Sequence, residues 1–211
     1  MPTEVVHVLG AGGHCRVVID ALLCCGWLPS AIRVRDDRAV LAGSRLLGCV
    51  VYSPMRPGIP LSGKVHAAVG AGAIRESLLA GSGLERTDWL VVLHPRASVA
   101  ASATLGEGSF VAAQAVVGPC SRVGVGTIVN HGAVVDHDCL VGEFCHVAPV
   151  ASLGGGVHIG RGVLIGAGAR ILPELTIGDG AIIGAGAVVV ANVPPGQTWQ
   201  GVPARPSHKG Q

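Results

Sequence analysis

The chain has 211 residues, 49% of them hydrophobic and 13% charged, with a formal net charge of +2. That length suits one large domain or two small ones, and the high apolar content excludes a disordered chain. The near-neutral charge and scattered basic residues exclude a nucleic-acid partner, and no apolar run approaches the roughly 20 residues of a membrane span.

The opening stretch "MPTEVVHVLG" has an acid and no basic residue, so it does not read as a secretory signal. The seven cysteines are odd in number and form no C-x-x-C, which predicts reduced thiols in a cytoplasmic protein. With only 3% aromatics and 33 glycines, any core must be narrow and regular.

Residues 1–93 read as a small Rossmann-like α/β unit. Val5 to Leu9 is a β-rich run, "GAGGH" a turn, and Arg16 to Cys25 an apolar-faced helix. "AIRVRDD" predicts a second strand ending in Asp36 and Asp37. "KVHAAVGAG" predicts another, followed by the helix "AIRESLLAGSG", and "DWLVVLHP" leads out. A glycine turn at a helix N-terminus can cradle phosphate, and an acid at the next strand end can hold a ribose or base. The full G-x-G-x-x-G fingerprint would need glycine where Cys15 stands, so a simple tight turn remains an equal reading.

Residues 94–211 carry a repeat of six. From Val99 to Val189 every sixth residue is aliphatic, sixteen in succession, and a small residue mostly stands two places before each. Six fits neither the helical period nor a lone strand. It predicts a parallel β-helix of triangular coils, 18 residues each, stacked at the ordinary strand spacing of about 4.8 Å.

The phase of the repeat turns His131, His137, His146 and His158 outward. Solvated surface histidines are the plain alternative, above all for His131 and His158. His137 lies between Asp136 and Asp138, a setting that holds a tautomer and raises basicity. Gly155 falls one coil beyond His137. His137 and His146 are half a coil apart, so one pocket could include both only if a second chain supplied one of them. The histidine spacings lack a converging ligand set, so no metal is expected.

In order and spacing, "GAGGH", the repeat with "DHD", "GEFCHV" and a closing "GVPARP" resemble the hexapeptide acyltransferases of the sialic-acid O-acetyltransferase and UDP-4-amino-sugar N-acetyltransferase type. The resemblance implies a left-handed β-helix, acetyl-CoA as co-substrate, and a homotrimer with sites between subunits. It implies His137 as the base and Asp138 as its partner, with acetyl-CoA contacts at His146, Ala167 and Ala185. It places the nucleotide-sugar at Gly12, Gly13, His14, Asp36, Asp37 and Gly70, with Gly12 standing where some relatives have serine. Gly155 beside the base is expected to donate its N–H to the oxyanion. The expected activity is acetyl transfer to the amine of a UDP-linked amino-sugar in bacterial glycan synthesis. O-acetylation of a sugar hydroxyl and a non-catalytic scaffold are the alternatives.

Overall fold

The computed structural model describes residues 4–55 and 61–207; the end of the expected tail, 208–211, lies outside them. The N-terminal unit is a five-stranded sheet of β1 (Val6–Leu9), β2 (Ile32–Arg35), β3 (Arg45–Leu46), β4 (Cys49–Tyr52) and β5 (Lys64–Ala67), in the order β3-β4-β2-β1-β5. All pairs are parallel except β3 with β4. Helix α1 (Gly13–Cys24) buries Cys15, Val18, Ile19 and Leu22, the spacing of one helical face, against Val6, Val8, Ile32 and Val34. Helix α2 (Gly72–Ala80) sets Leu79 with Leu9, Val65 and Ala67.

Two details differ from the sequence reading. Helix α1 starts three residues early, within the glycine turn itself. The β3–β4 hairpin was not anticipated. Its two-residue turn, Leu47 and Gly48, has both φ values positive, and a leucine in that conformation hides the usual hairpin signal.

The chain then enters a triangular prism at Val92–Leu93. Each two-residue strand pairs in parallel with the one 18 residues on, as Val116–Val117 does with Val134–Val135 and that with Ser152–Leu153. The predicted aliphatics fill the prism axis: from Val111 to Val189 each is at most 4% exposed. Only the first two, Val99 and Leu105, are partly open, because no earlier complete coil covers them. The small residues two places before pack beside them, including Ser121, Thr127, Cys139 and Cys145 at 0%. From Gly108 to Gly186 the edge residue at every sixth position has positive φ, glycine at many edges and Asp138 (φ 57), Phe144 and Val150 at others.

The N-terminal unit sits on one prism face. Outward-facing Phe110 and Ile128 join the α1 core, and Phe144 joins the α2 core. Arg75 of α2 fastens the two together. It is fully buried and donates to the carbonyls of Val69, Gly70, Gly126, Phe144 and Cys145 at 2.5–3.0 Å. Burial pulls its pKa down to about 10, so it remains charged. At the rim Arg161 pairs with Glu76 and Glu143 and lies over the Phe144 ring.

Candidate active site

His137 stands on a prism edge with its side chain 59% exposed. Its Nδ1 lies 2.8 Å from Asp138 Oδ2, and its backbone N–H donates to Asp136 Oδ1 at 2.8 Å. The Asp138 hydrogen bond, then the Asp136 charge, raise the pKa of the imidazole. A proton held on Nδ1 by the carboxylate leaves the Nε2 lone pair for a substrate proton. Gly155 lies on the same edge one coil on. A Cβ there would run into the imidazole ring, so only glycine admits the ring in this pose.

His146 faces outward from the prism, as its phase requires, but the N-terminal unit of the same chain covers it. Asn130 Nδ2 is 3.1 Å from its Nε2, and it bonds the Gly70 backbone. Its ring centroid lies 6.4 Å from that of His14. Burial and then Arg75 lower its pKa, so it is a neutral ring. His14 packs edge-on to Phe110, and its buried Nε2 has no partner among the described residues. Burial, followed by His66 and His146, depresses its pKa to about 3. His14, Gly70 and His146 therefore meet in one place, away from the edge that carries His137.

The glycine turn opens on a cavity of about 310 Å³ lined by Ala11, Gly12, Gly13, Arg16, Arg38 and Ser44, among others. Gly10 (φ 97) has Val69 where a Cβ would go, whereas Gly12 and Gly13 face open space. Among the described residues no side chain caps the N-terminus of α1, so its first N–H groups stay available to an anion. Cys15, in place of the third fingerprint glycine, is buried in the core below the turn.

The two acids differ from expectation in how they are used. Asp36 accepts from Ala11 N (2.8 Å), from Arg38 N (3.0 Å) and from the Arg38 guanidinium (2.7 and 2.9 Å). These bonds hold its pKa down to about 2. Its carboxylate pins the turn and aims Arg38 at the cavity. Asp37 accepts from Met55 N at 2.9 Å. Both are already engaged within the chain before any ligand arrives.

Ala167 and Ala185 are exposed on one prism edge, stacked through Gly186 N–H to Ala167 O at 2.8 Å. His131 lies on that same edge, three coils before Ala185, while His158 projects from another face. Cys139 and Cys145 point into the prism and bond Gly154 O and Gly160 O. Burial pushes Cys145 up to about 11, so neither thiol is a nucleophile.

Among the described residues, Asp20, Cys24 and His94 bring ligand atoms within 4.8 Å of one another at the far end of α1. His94 Nδ1 accepts the Arg96 N–H at 3.0 Å, which leaves the ring proton on Nε2, toward Asp20. The nitrogen that faces the cluster is thus the protonated one, and the group does not fit a metal.

Sequence reasoning missed Asn130, Arg16, Arg38, His66 and Arg75. "NHG" and the Arg directly after the acid pair were visible signals. Arg75 had none, because its partners are all backbone.

A prism of six-residue repeats, with an acid-paired histidine on its edge and a phosphate-type turn beside it, defines a hexapeptide acyltransferase. The family described as "Bacterial transferase hexapeptide (six repeats)" matches residues 138–172 and 156–191. The H-to-A variant of GDP-perosamine N-acetyltransferase from Caulobacter crescentus, solved with CoA and GDP-perosamine, is 34% identical. The match covers 99% of each chain at a TM-score of 0.87. The acetyltransferase domain of PglB from Neisseria gonorrhoeae, solved with acetyl coenzyme A, is 37% identical over 98% of this chain and 100% of that one, at 0.88. WeeI from Acinetobacter baumannii is 25% identical over 97% and 100%, at 0.70. No curated protein sequence matches significantly. The chain belongs to the hexapeptide-repeat sugar N-acetyltransferases, enzymes of the left-handed β-helix fold. No helix among the described residues is long and apolar enough to cross a membrane.

Proposed function

We propose that the protein transfers the acetyl group of acetyl-CoA to the amine of a nucleoside-diphosphate amino-sugar, with His137 as general base. The observation that carries this reading is the His137–Asp138 pair at 2.8 Å, set against Gly155 with Nε2 open. The amine attacks the thioester carbonyl while His137 Nε2 takes its proton. The Gly155 N–H stabilises the oxyanion. The C–S bond then breaks, and the departing thiolate takes a proton from the imidazolium, which Asp138 has stabilised.

Residues 1–93 form the nucleotide-sugar unit and 94–211 the transferase unit. Gly12, Gly13, Arg16 and Arg38 receive the diphosphate, and His14 and Gly70 face the sugar. Asp36 holds the turn and Arg38, and Asp37 the segment at Met55. Acetyl-CoA lies along the edge of Ala167 and Ala185 and reaches His146. His146 and His14 lie half a coil from His137, so a complete site pairs the His137 edge of one subunit with the N-terminal unit of another. Three chains around a three-fold axis give three such sites.

Thiol release from acetyl-CoA against a panel of UDP- and GDP-linked amino-sugars and free sialic acids tests the reading. An amino-sugar nucleotide should be the best acceptor; a sialic-acid hydroxyl as best acceptor would replace N- by O-transfer. His137→Ala should lower kcat by about 10² to 10⁴. Mixed oligomers of His137→Ala and His14→Ala chains should regain activity, and a monomer in sedimentation at assay concentration would refute the shared site.

A further inference from the structure

We infer that Cys139 is a positioning residue whose thiol, from inside the prism, holds and polarises the Gly154–Gly155 peptide. The inference rests on the proposal above that Gly155 N–H is the oxyanion donor. Cys139 follows the turn that bears His137, takes the inward small-residue place and is fully buried. Its Sγ donates to Gly154 O at 3.2 Å and accepts a backbone hydrogen bond from Val157. The thiol therefore brackets the turn of residues 154–157, one coil beyond His137 and Asp138. Burial raises its pKa, so the sulfur keeps the proton it donates. Among the described residues no backbone N–H reaches the Gly154 carbonyl.

The C=O and N–H of a planar trans peptide point opposite ways. With Gly154 O turned inward to the thiol, Gly155 N–H is turned outward, on the edge where the imidazole lies. It has no acceptor among the described residues. The same place in the neighbouring coils offers no free donor. Pro119 and Pro173 have no N–H, and Asp136 Oδ1 takes the His137 N–H at 2.8 Å. Gly154 lacks a side chain with which to consume the Gly155 N–H in that way. A hydrogen bond to a carbonyl also strengthens the N–H of the same peptide as a donor.

Similar contacts elsewhere in the prism supply a rescue and a control. Ser121 Oγ donates to Asp136 O at 2.5 Å, and Thr127 Oγ1 to Gly142 O at 2.7 Å. A hydroxyl at the inward place thus reaches the carbonyl 15 residues on, as the Cys139 thiol does. Cys145 Sγ makes the equivalent bond to Gly160 O at 2.9 Å, on a different edge from His137. Alanine fits the same inward place, as the fully buried Ala133 and Ala151 show.

The chain has three Gly–Gly peptides, at 12–13, 154–155 and 155–156. NMR of protein labelled with carbonyl-13C and amide-15N glycine therefore gives three carbonyl–amide correlations, one of them from the peptide in question. In Cys139→Ala that carbonyl should shift upfield, as loss of a hydrogen bond to its oxygen requires, and in Cys139→Ser it should return. The single-turnover rate of acetyl transfer should fall about two- to fivefold in Cys139→Ala, the scale of one weak hydrogen bond, with both KM values unchanged. Cys139→Ser should recover the rate. Cys145→Ala, which loses the same kind of bond, should keep it. A Gly154 carbonyl that stays in place in Cys139→Ala overturns the inference, as does an equal rate loss in Cys145→Ala or no recovery in Cys139→Ser. If the carbonyl moves and the rate does not, Gly155 N–H is not the oxyanion donor, and the reading beneath the inference falls with it.

Discussion

Gly155 lies one coil beyond His137, close enough that a methyl group on it would occupy the space of the imidazole. Its φ is not in the left-handed region, so alanine is acceptable to the backbone and the conflict is with the ring alone. Gly155→Ala should therefore fold normally yet swing His137 away from Asp138. A displacement of about 1 Å at a reacting group costs on the order of 10² in rate. The check is kcat together with Tm: a comparable kcat at unchanged Tm would show that the observed pose of His137 is not the working one.

The acid limb of the rate profile should report the His137–Asp138 pair. His137 must be neutral to take a proton, and the Asp138 hydrogen bond raises its pKa, with Asp136 adding to it. Activity should fall as pH drops through that raised value. Asp138→Asn removes the first cause, so its limb should move to lower pH while the maximal rate also falls through lost orientation of the ring. A limb that stays in place, measured as log kcat/KM against pH, assigns the titration to another group.

The prism was legible because its period is local. Each aliphatic from Val111 to Val189 is inward for the same reason, and the stack of Gly155 on His137 follows from the 18-residue coil. What lies outside a face is not local. The period shows that His146 points away from the prism axis, but Gly70, Asn130 and His14 cover it for reasons of domain packing. The Asp36–Asp37 pair was visible, whereas its capture by Arg38, Ala11 and Met55 depends on loop geometry that no periodicity encodes. Arg75 is the extreme case. A charged side chain on a short helix reads as solvated, and five carbonyl acceptors leave no trace in side-chain patterns.

Arg75→Met tests how much the two units depend on each other. The methionine fills similar volume but leaves the buried carbonyls of Gly126 and Phe144 without the guanidinium donor, whereas Cys145 O keeps the Ile128 N–H at 2.9 Å. The loss should be at least about 3 kcal/mol, given the cost of each unsatisfied buried group. For a chain of this size that corresponds to a drop in Tm of roughly 6–12 °C. Arg75→Lys should lie between, since one ammonium cannot reach all five acceptors. Calorimetry showing an unchanged transition in Arg75→Met would mean that the units are held by their apolar contacts alone.

His66 sets a limit on acid stability. It is fully buried, its Nδ1 is 3.0 Å from Leu90 O, and its Nε2 has no partner among the described residues. Burial pulls its pKa down to about 4 from 6.5, and the neighbouring Arg75 also acts in that direction. The unfolded chain therefore binds a proton at this site between pH 6.5 and about 4 that the folded chain refuses. Above pH 6.5 the site costs nothing; as pH falls toward 4 stability is progressively lost, by about 2–3 kcal/mol at the lower end on the scale of one pKa unit per 1.36 kcal/mol. His14, with its pKa near 3, adds a cost of the same sign. Tm measured from pH 7.5 to 4.5 should fall steeply below 6.5. In His66→Phe, which keeps an aromatic ring beside Phe110 but cannot titrate, the curve should be lower at neutral pH and flatter in acid. Parallel curves for wild type and variant would place the acid sensitivity elsewhere.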